Sequence, residues 1–338
     1  MTGRGADAAI QRRQAMRKSG LLAAILFSIG LGLAAAQAQN FPDKVIKLIV
    51  PYVPGSPVDV LARVISQQVS TRLGQNVIIE NRPGAGTSTA TKAVAGASPD
   101  GYTLLMSGQA LAYVGTLYPD LGLDPLKAFA PVATLAGWSH VLVVAPDVPA
   151  KTMPELVAYA KANPGKLTFG FGLGTSPQII GEYFKAVAGV DVVSVPYRGG
   201  EQVRIDLLGG RIHINFAPVS NVLAMIQQGQ IRALAVTSAT RDANLPDVPT
   251  MTESGYPQVG FHPDVWQGVV APAGTPDAIV SRLNAEINES IKSADVLAAL
   301  AKLGFNPMTG SPQDFKTFLA AQTQKWPPVL KAANVQPQ

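Results

Sequence analysis

Val45-Ile46-Lys47-Leu48-Ile49-Val50-Pro51-Tyr52-Val53-Pro54-Gly55-Ser56-Pro57-Val58-Asp59 holds a strand, a loop and a helix start in one run. Val45–Val50 is short and β-branched, and Pro51 to Ser56 interrupts it. From Pro57 to Leu73 the apolar residues Val58, Leu61, Ile65 and Val69 recur on one helical face, and Gly74 ends the pattern. Serine before proline is an N-cap followed by the first helical position, and Asp59, three residues after Ser56, completes a Ser-x-x-Asp capping box. Strand, loop and helix then recur: Asn76–Glu80 predicts a strand, Asn81-Arg82-Pro83-Gly84-Ala85-Gly86 a loop, a small-residue helix runs to Gly96, Pro99-Asp100-Gly101 turns, and Tyr102–Ser107 is a third strand.

The second half repeats this grammar. Strands are expected at Val141–Val144, Leu167–Phe171, Val192–Val195, Ile212–Phe216 and Ile231–Thr237. Helices are expected at Pro154–Ala162, at Pro177–Ala188, up to Leu208 and up to Gln228. After Asp247 the pattern shifts to one strand, Trp266–Ala271, and three helices, Thr275–Lys292, Ala294–Leu303 and Pro312–Trp326, expected to pack on the first lobe. Alternating strands and helices predict an α/β fold with covered, mostly parallel sheets. The expected division is residues 39–140 with 251–338 as one lobe and 141–250 as the other.

The chain has 338 residues, 47% hydrophobic and 14% charged, with three histidines and no cysteine. This composition supports a sizeable core and excludes a disordered polyelectrolyte. Residues 1–20 carry Arg4, Arg12, Arg13, Arg17 and Lys18 against Asp7. Leu21 to Ala36 is apolar and uncharged, and Ala36-Gln37-Ala38 is a small-x-small triplet. This is the order of a signal peptide, with cleavage expected after Ala38. The apolar run, about 16 residues, is shorter than the ~20 of a spanning helix. Arg12-Arg13 raises the twin-arginine export route, although Gln14-Ala15-Met16 matches it poorly. Cleavage leaves 22 basic and 21 acidic residues, so the full chain's +5 falls to +1. A nucleic-acid partner thereby loses its electrostatic support.

Two loops match. Gly55-Ser56-Pro57 and Thr175-Ser176-Pro177 each follow a strand and open a helix. A helix start leaves N–H groups unpaired and carries partial positive charge, so it receives an anion without Arg or Lys. In open α/β sheets ligands sit beyond the carboxyl ends of the strands, where these loops fall. Ordinary capping is the competing explanation. Gly170-x-Gly172-x-Gly174 lacks the third spacing of a dinucleotide fingerprint, since position 175 is threonine. His140, His213 and His262 form no metal-binding spacing, and no Gly-x-Ser-x-Gly elbow occurs. Neither a metal nor a cofactor is expected. Arg82, Arg198 and Arg204 are candidates to pair a carboxylate, with Arg198 best placed. Tyr52, Phe171, Tyr197 and Trp266 stand near strand ends as wall or core.

Several longer motifs resemble one family. Phe41-Pro42-Asp43-Lys44, Ile49-Val50-Pro51-Tyr52-x-Pro54-Gly55-x-x-x-Asp59, Glu80-Asn81-Arg82-Pro83-Gly84-Ala85-Gly86 and Pro99-Asp100-Gly101-Tyr102-Thr103-Leu104 do so in order. Leu207-Leu208-Gly209-Gly210, Leu245-Pro246-Asp247-Val248-Pro249-Thr250 and Ala271-Pro272-Ala273-Gly274-Thr275-Pro276 follow. Residues 41–335 resemble the substrate-binding proteins of tripartite tricarboxylate transporters, the Bug or TctC-like group. The resemblance implies a two-lobed periplasmic binding protein of type II that closes like a flytrap, a monomer serving a transporter's membrane subunits or a signalling partner. It implies capture of a small carboxylate (dicarboxylate, aromatic acid or amino acid) by backbone N–H groups and waters, without catalysis. An exported hydrolase or isomerase acting on a small carboxylic acid is the alternative. Carried over, the site is Pro54, Gly55, Ser56 and Asp59 facing Gly174, Thr175 and Ser176, completed by Ser107, Gly108, Tyr197, Arg198, Gly199, Pro218 and Ser220. Three departures bear on the ligand: Ser56 stands where the family has glycine, Gln178 where histidine is common, and Ala217-Pro218 where Asp-Asn is usual.

Overall fold

The computed structural model describes residues 41–172, 175–197, 199–260, 265–333 and 335. The leader segment, Gly174, Arg198 and His262 lie outside them. In chain order a first set of elements is β1 (Ile46–Val50), α1 (Pro57–Leu73), β2 (Val77–Asn81), α2 (Ser88–Ala95), β3 (Thr103–Gly108), α3 (Gln109–Leu117), α4 (Pro125–Ala128) and β4 (Phe129–Trp138). A second set is β5 (His140–Val144), α5 (Met153–Ala162), β6 (Thr168–Gly172), α6 (Ser176–Ala188), β7 (Val193–Tyr197), α7 (Gly200–Leu208), β8 (Ile214–Pro218), α8 (Val219–Gln227) and β9 (Arg232–Val236). The chain returns through β10 (Val265–Pro272), α9 (Asp277–Ile291), α10 (Ala294–Leu303), β11 (Asn306–Pro307) and α11 (Pro312–Ala332).

Two sheets result, β11-β4-β10-β3-β1-β2 and β7-β6-β8-β5-β9. β1 runs parallel to β2 and β3, and β6 parallel to β7 and β8. β10 is antiparallel to β3 and β4, and β5 to β8 and β9. The antiparallel pairs arise where the chain crosses: β4 ends at Trp138, Ser139 links it to β5, and β5 and β10 both enter their sheets from the cleft side. Thr250 bridges Val236, and Pro257–Val259 pack against α6, so the chain stays on the second sheet beyond Thr250.

Several edges differ from the sequence pattern for physical reasons. β7 continues through Pro196 to Tyr197 because it is an edge strand, where a missing N–H costs no ladder bond. α9 packs on α1 and β4, and α10 on α1. α11 was expected on the first lobe alone, but it also touches α6 of the second. It runs on past Trp326, through Pro327 and Pro328. The Trp326 indole N–H is bonded to Gln322 Oε1 at 2.7 Å in the buried interior. One continuous cluster of buried side chains therefore joins Leu111, Trp266, Phe315 and Trp326 to Phe169, Ile180 and Phe216 of the second lobe.

Candidate functional site

The first helix tip is built by one carboxylate. Ser56 caps α1 in extended conformation (φ −65°, ψ 155°), its hydroxyl accepting the Asp59 N–H at 3.3 Å. Asp59 does not close the capping box on Ser56. Its Oδ2 takes the Gly55 N–H (2.9 Å) and the Arg63 Nε–H (2.9 Å), while Oδ1 takes Arg63 Nη2 (3.0 Å) and Asn81 Nδ2 (2.8 Å). Asn81 also donates to the Tyr52 carbonyl (3.0 Å). Burial alone would raise the Asp59 pKa, but the hydrogen bonds from Arg63, Asn81 and Gly55 outweigh it and hold it below its ordinary value. Gly55 has φ +82°, which favours glycine; Ser56 needs no such freedom, so serine fits there.

Asp59 is thus a positioning residue, and the Gly55 and Ser56 amides already have partners, the latter bonding the Val53 carbonyl at 3.2 Å. Among the described hydrogen bonds, the N–H left over at this tip is that of Val58.

The second tip is held differently. Thr175, not Ser176, is the N-cap of α6, and its side chain makes no capping bond. Its hydroxyl donates instead to the Gly172 carbonyl at 2.6 Å. Ser176 is the first helical residue. Its hydroxyl lies 3.3 Å from Nε2 of the buried His140, and its N–H has no partner among the described bonds.

Both tips open on one chamber between the lobes, of about 690 Å³. Tyr52 and Val58 line it at the end of β1, Gly86 and Thr87 after β2, Gln109 and Tyr113 on α3, and Gln267 on β10. Thr175, Ser176 and Gln178 line it from the second lobe. No Lys, Arg, Asp or Glu occurs among these lining residues. Burial raises the pKa values of Tyr52 and Tyr113, slightly offset at Tyr52 by a bond from Gln267, so both phenols stay neutral. Ala85, Gly86 and Thr87 all have positive φ (42°, 55° and 82°). Tyr118 occupies the space where a Cβ on Gly86 would sit.

A second chamber of about 510 Å³ adjoins the first and shares Trp138, Thr175 and Ser176 with it. His140, Asn215, Ala217, Pro218, Gly200 and the ion-paired Glu201 and Arg204 line it.

The remaining sequence candidates have other engagements. The Ser107 hydroxyl donates to the Gly268 carbonyl at 3.0 Å, and Gly108 passes beneath the Gln267 amide, where a Cβ would approach to about 3.0 Å. The Tyr197 hydroxyl donates to Asp206 (2.8 Å); burial and then that carboxylate push its pKa up to about 12. Gly199 caps α7. Ser220 packs on Gly304 of the first lobe. Pro54 is exposed in the first loop. Arg82 pairs Glu80 at 2.6 Å on the surface. His213 accepts the Thr168 N–H at 3.1 Å, and the described residues contain no cluster able to hold a metal. Trp138, Tyr113, Tyr118, Gln109 and Gln267 are lining residues that the sequence reading missed. A polar residue inside the otherwise apolar run Val265–Val270 was the available signal for Gln267.

Two α/β lobes joined by repeated crossings around a cleft are the architecture of the periplasmic-binding-protein fold. The comparisons with known proteins then fix the family. Residues 61–335 match the tripartite tricarboxylate transporter family receptors (TctC), and the chain belongs to that family, which includes the Bug proteins. It is 36% identical over 321 residues to the Bordetella pertussis protein BugT, covering 94% of this chain and 98% of that one. It superposes with TM-score 0.70 on the R. palustris protein Rpa4515 with adipate, at 33% identity over 88% of this chain and 100% of the other. It superposes with TM-score 0.67 on MatC from Rhodopseudomonas palustris with bound malate, at 30% identity over 86% and 100%.

Proposed function

We propose that this receptor is exported, loses its leader after Ala38, and works as a monomer. It captures a small carboxylate between its lobes for a tripartite transporter or a signalling partner. The reading is supported above all by the unpaired N–H groups of Val58 and Ser176, which sit at two helix tips facing one uncharged chamber. Each tip stabilises an anion by about 0.3–1 kcal/mol in the open and up to ~2 kcal/mol when partly buried. The adipate and malate held by the two R. palustris relatives agree with a carboxylate cargo. Lobes of residues 41–138 with 265–333, and 140–260, are the division proposed to close on it.

The decisive test is Ser176→Pro. Thr175 is extended (φ −102°, ψ 163°), so a proline can follow it, and the first helical position tolerates proline; the N–H is lost together with the hydroxyl that touches His140, and Ser176→Ala, which removes the hydroxyl alone, is the control. Carboxylate affinity by calorimetry should fall at least tenfold with the melting temperature retained; unchanged affinity sinks the reading. Saturating ligand should also reduce the radius of gyration in solution scattering. The contact of Ser176 with His140 gives a hydrolase its best foothold. Turnover of carboxylic esters that is lost in both Ser176→Ala and His140→Ala would favour that second reading over binding alone.

A further inference from the structure

The proposed capture of one carboxylate leaves the far end of the ligand to be read. Gln109 begins α3 and Gln267 lies on β10, in register with Gly108. They are 5% and 2% exposed, and both line the uncharged chamber. Gln109 Nε2 and Gln267 Oε1 are buried without a hydrogen-bond partner. The two would satisfy each other if they met, yet they do not. A buried, unpartnered amide atom costs about 1–3 kcal/mol, so a pair of them calls for a group that supplies both an acceptor and a donor.

We infer, building on the carboxylate reading, that the cargo is a monocarboxylate whose other end is neutral and carries both donor and acceptor, a primary carboxamide above all. An amide carbonyl accepts from Gln109 and an amide N–H donates to Gln267, and the match survives reversal of both glutamine amides. A second carboxylate fits badly. It offers no donor, and the described lining holds no Lys or Arg to offset its desolvation. Tyr52 and Tyr113 can each give it one neutral hydrogen bond, which does not replace a countercharge. A bare alkyl tail fares poorly too, since it leaves both glutamine atoms unsatisfied. A site built to hydrogen-bond a polar group rejects the analogue that lacks it far more strongly than an apolar pocket rejects a methylene.

The test is calorimetry on the mature wild-type protein near neutral pH. It uses matched sets: succinate, succinamate, succinamide and butyrate; adipate with its half-amide; terephthalate with 4-carbamoylbenzoate. In at least one set the half-amide should bind about tenfold or more tighter than its diacid and than the apolar monoacid. Gln109→Leu and Gln267→Leu should each narrow that preference to less than threefold. Should either variant fail to fold, the wild-type ligand sets decide alone. Diacids that match or exceed their half-amides in every set, as a cation outside the described lining would bring about, overturn the inference and leave carboxylate capture standing. Butyrate equal to succinamate, or no binding by any half-amide, overturns it as well. Succinamide binding as tightly as succinamate would instead overturn carboxylate capture itself.

Discussion

The two helix tips share a sequence pattern and differ in how they are held. At the first, the buried carboxylate of Asp59 gathers the Gly55 N–H, Asn81 and Arg63. At the second, a neutral hydroxyl bonds the Gly172 carbonyl and a serine leans on His140, with no carboxylate, Lys or Arg in these contacts. The first tip is rigid by ionic hydrogen bonding; the second depends on packing of α6 against its sheet. The contrast teaches that Gly-Ser-Pro and Thr-Ser-Pro present similar free amides through unrelated supports. The two tips should therefore fail differently when damaged.

The largest effect is expected at Asp59. Asp59→Ala strands three donors, one of them the half-exposed Arg63 that water can re-solvate. The loss should be about 2–4 kcal/mol in denaturant unfolding, with ligand affinity falling because Val58 is no longer held. A loss under about 0.5 kcal/mol would erase the distinction between the tips. Next comes Gly181, on the inner face of α6, where a Cβ would come within 1.9 Å of the tip of the Phe169 ring. Gly181→Ala should cost about 1–3 kcal/mol by overpacking and shift α6 bodily. Affinity should then fall through the second tip while the first stays intact, visible as unchanged amide exchange at Gly55 and changed exchange at Ser176.

Acid sharpens the same contrast. Since Asp59 has a folded-state pKa below its ordinary 3.8, its contribution is fully present above that value. It is lost as pH falls through the lower, folded value. Wild type should therefore lose stability below about pH 4 more steeply than Asp59→Asn, measured by thermal melting across that window. Parallel acid profiles for the two proteins would contradict the assignment.

The sequence showed the first tip well because each signal there is local. Ser56, Pro57, Asp59 and Gly74 act within one turn of the ends they define. β4 escaped notice: Phe129–Trp138 contains Ala130, Pro131, Ala133, Ala136 and Gly137, a poor strand by propensity. It is a strand because β10 pairs with its whole length. The site divides in the same way. The helix tips were legible, whereas Gln109 and Gln267, or Ser176 and His140, are far apart in sequence and come to one place only when the strands and helices of their own lobe pack. The Asp59 network was half visible, as a capping box, but the buried carboxylate's choice of Gly55 over Ser56 is a matter of three-dimensional reach.

The smallest predicted change bears most directly on the contrast. Thr175→Val keeps the shape of the side chain and removes the hydroxyl that bonds the Gly172 carbonyl. No capping bond is lost, since the Thr175 side chain makes none. One neutral, partly buried hydrogen bond is worth about 0.5–1.5 kcal/mol, and the freed carbonyl faces a chamber that water can enter. Unfolding should move by about 1 kcal/mol or less, and ligand affinity by a few fold, with no acid dependence of its own because nothing titratable has been removed. If Thr175→Val instead destabilised the protein as much as Asp59→Ala, the second tip would depend on its hydroxyl as heavily as the first depends on its carboxylate. Packing of α6 through Gly181 would then no longer explain how Ser176 is kept facing the chamber.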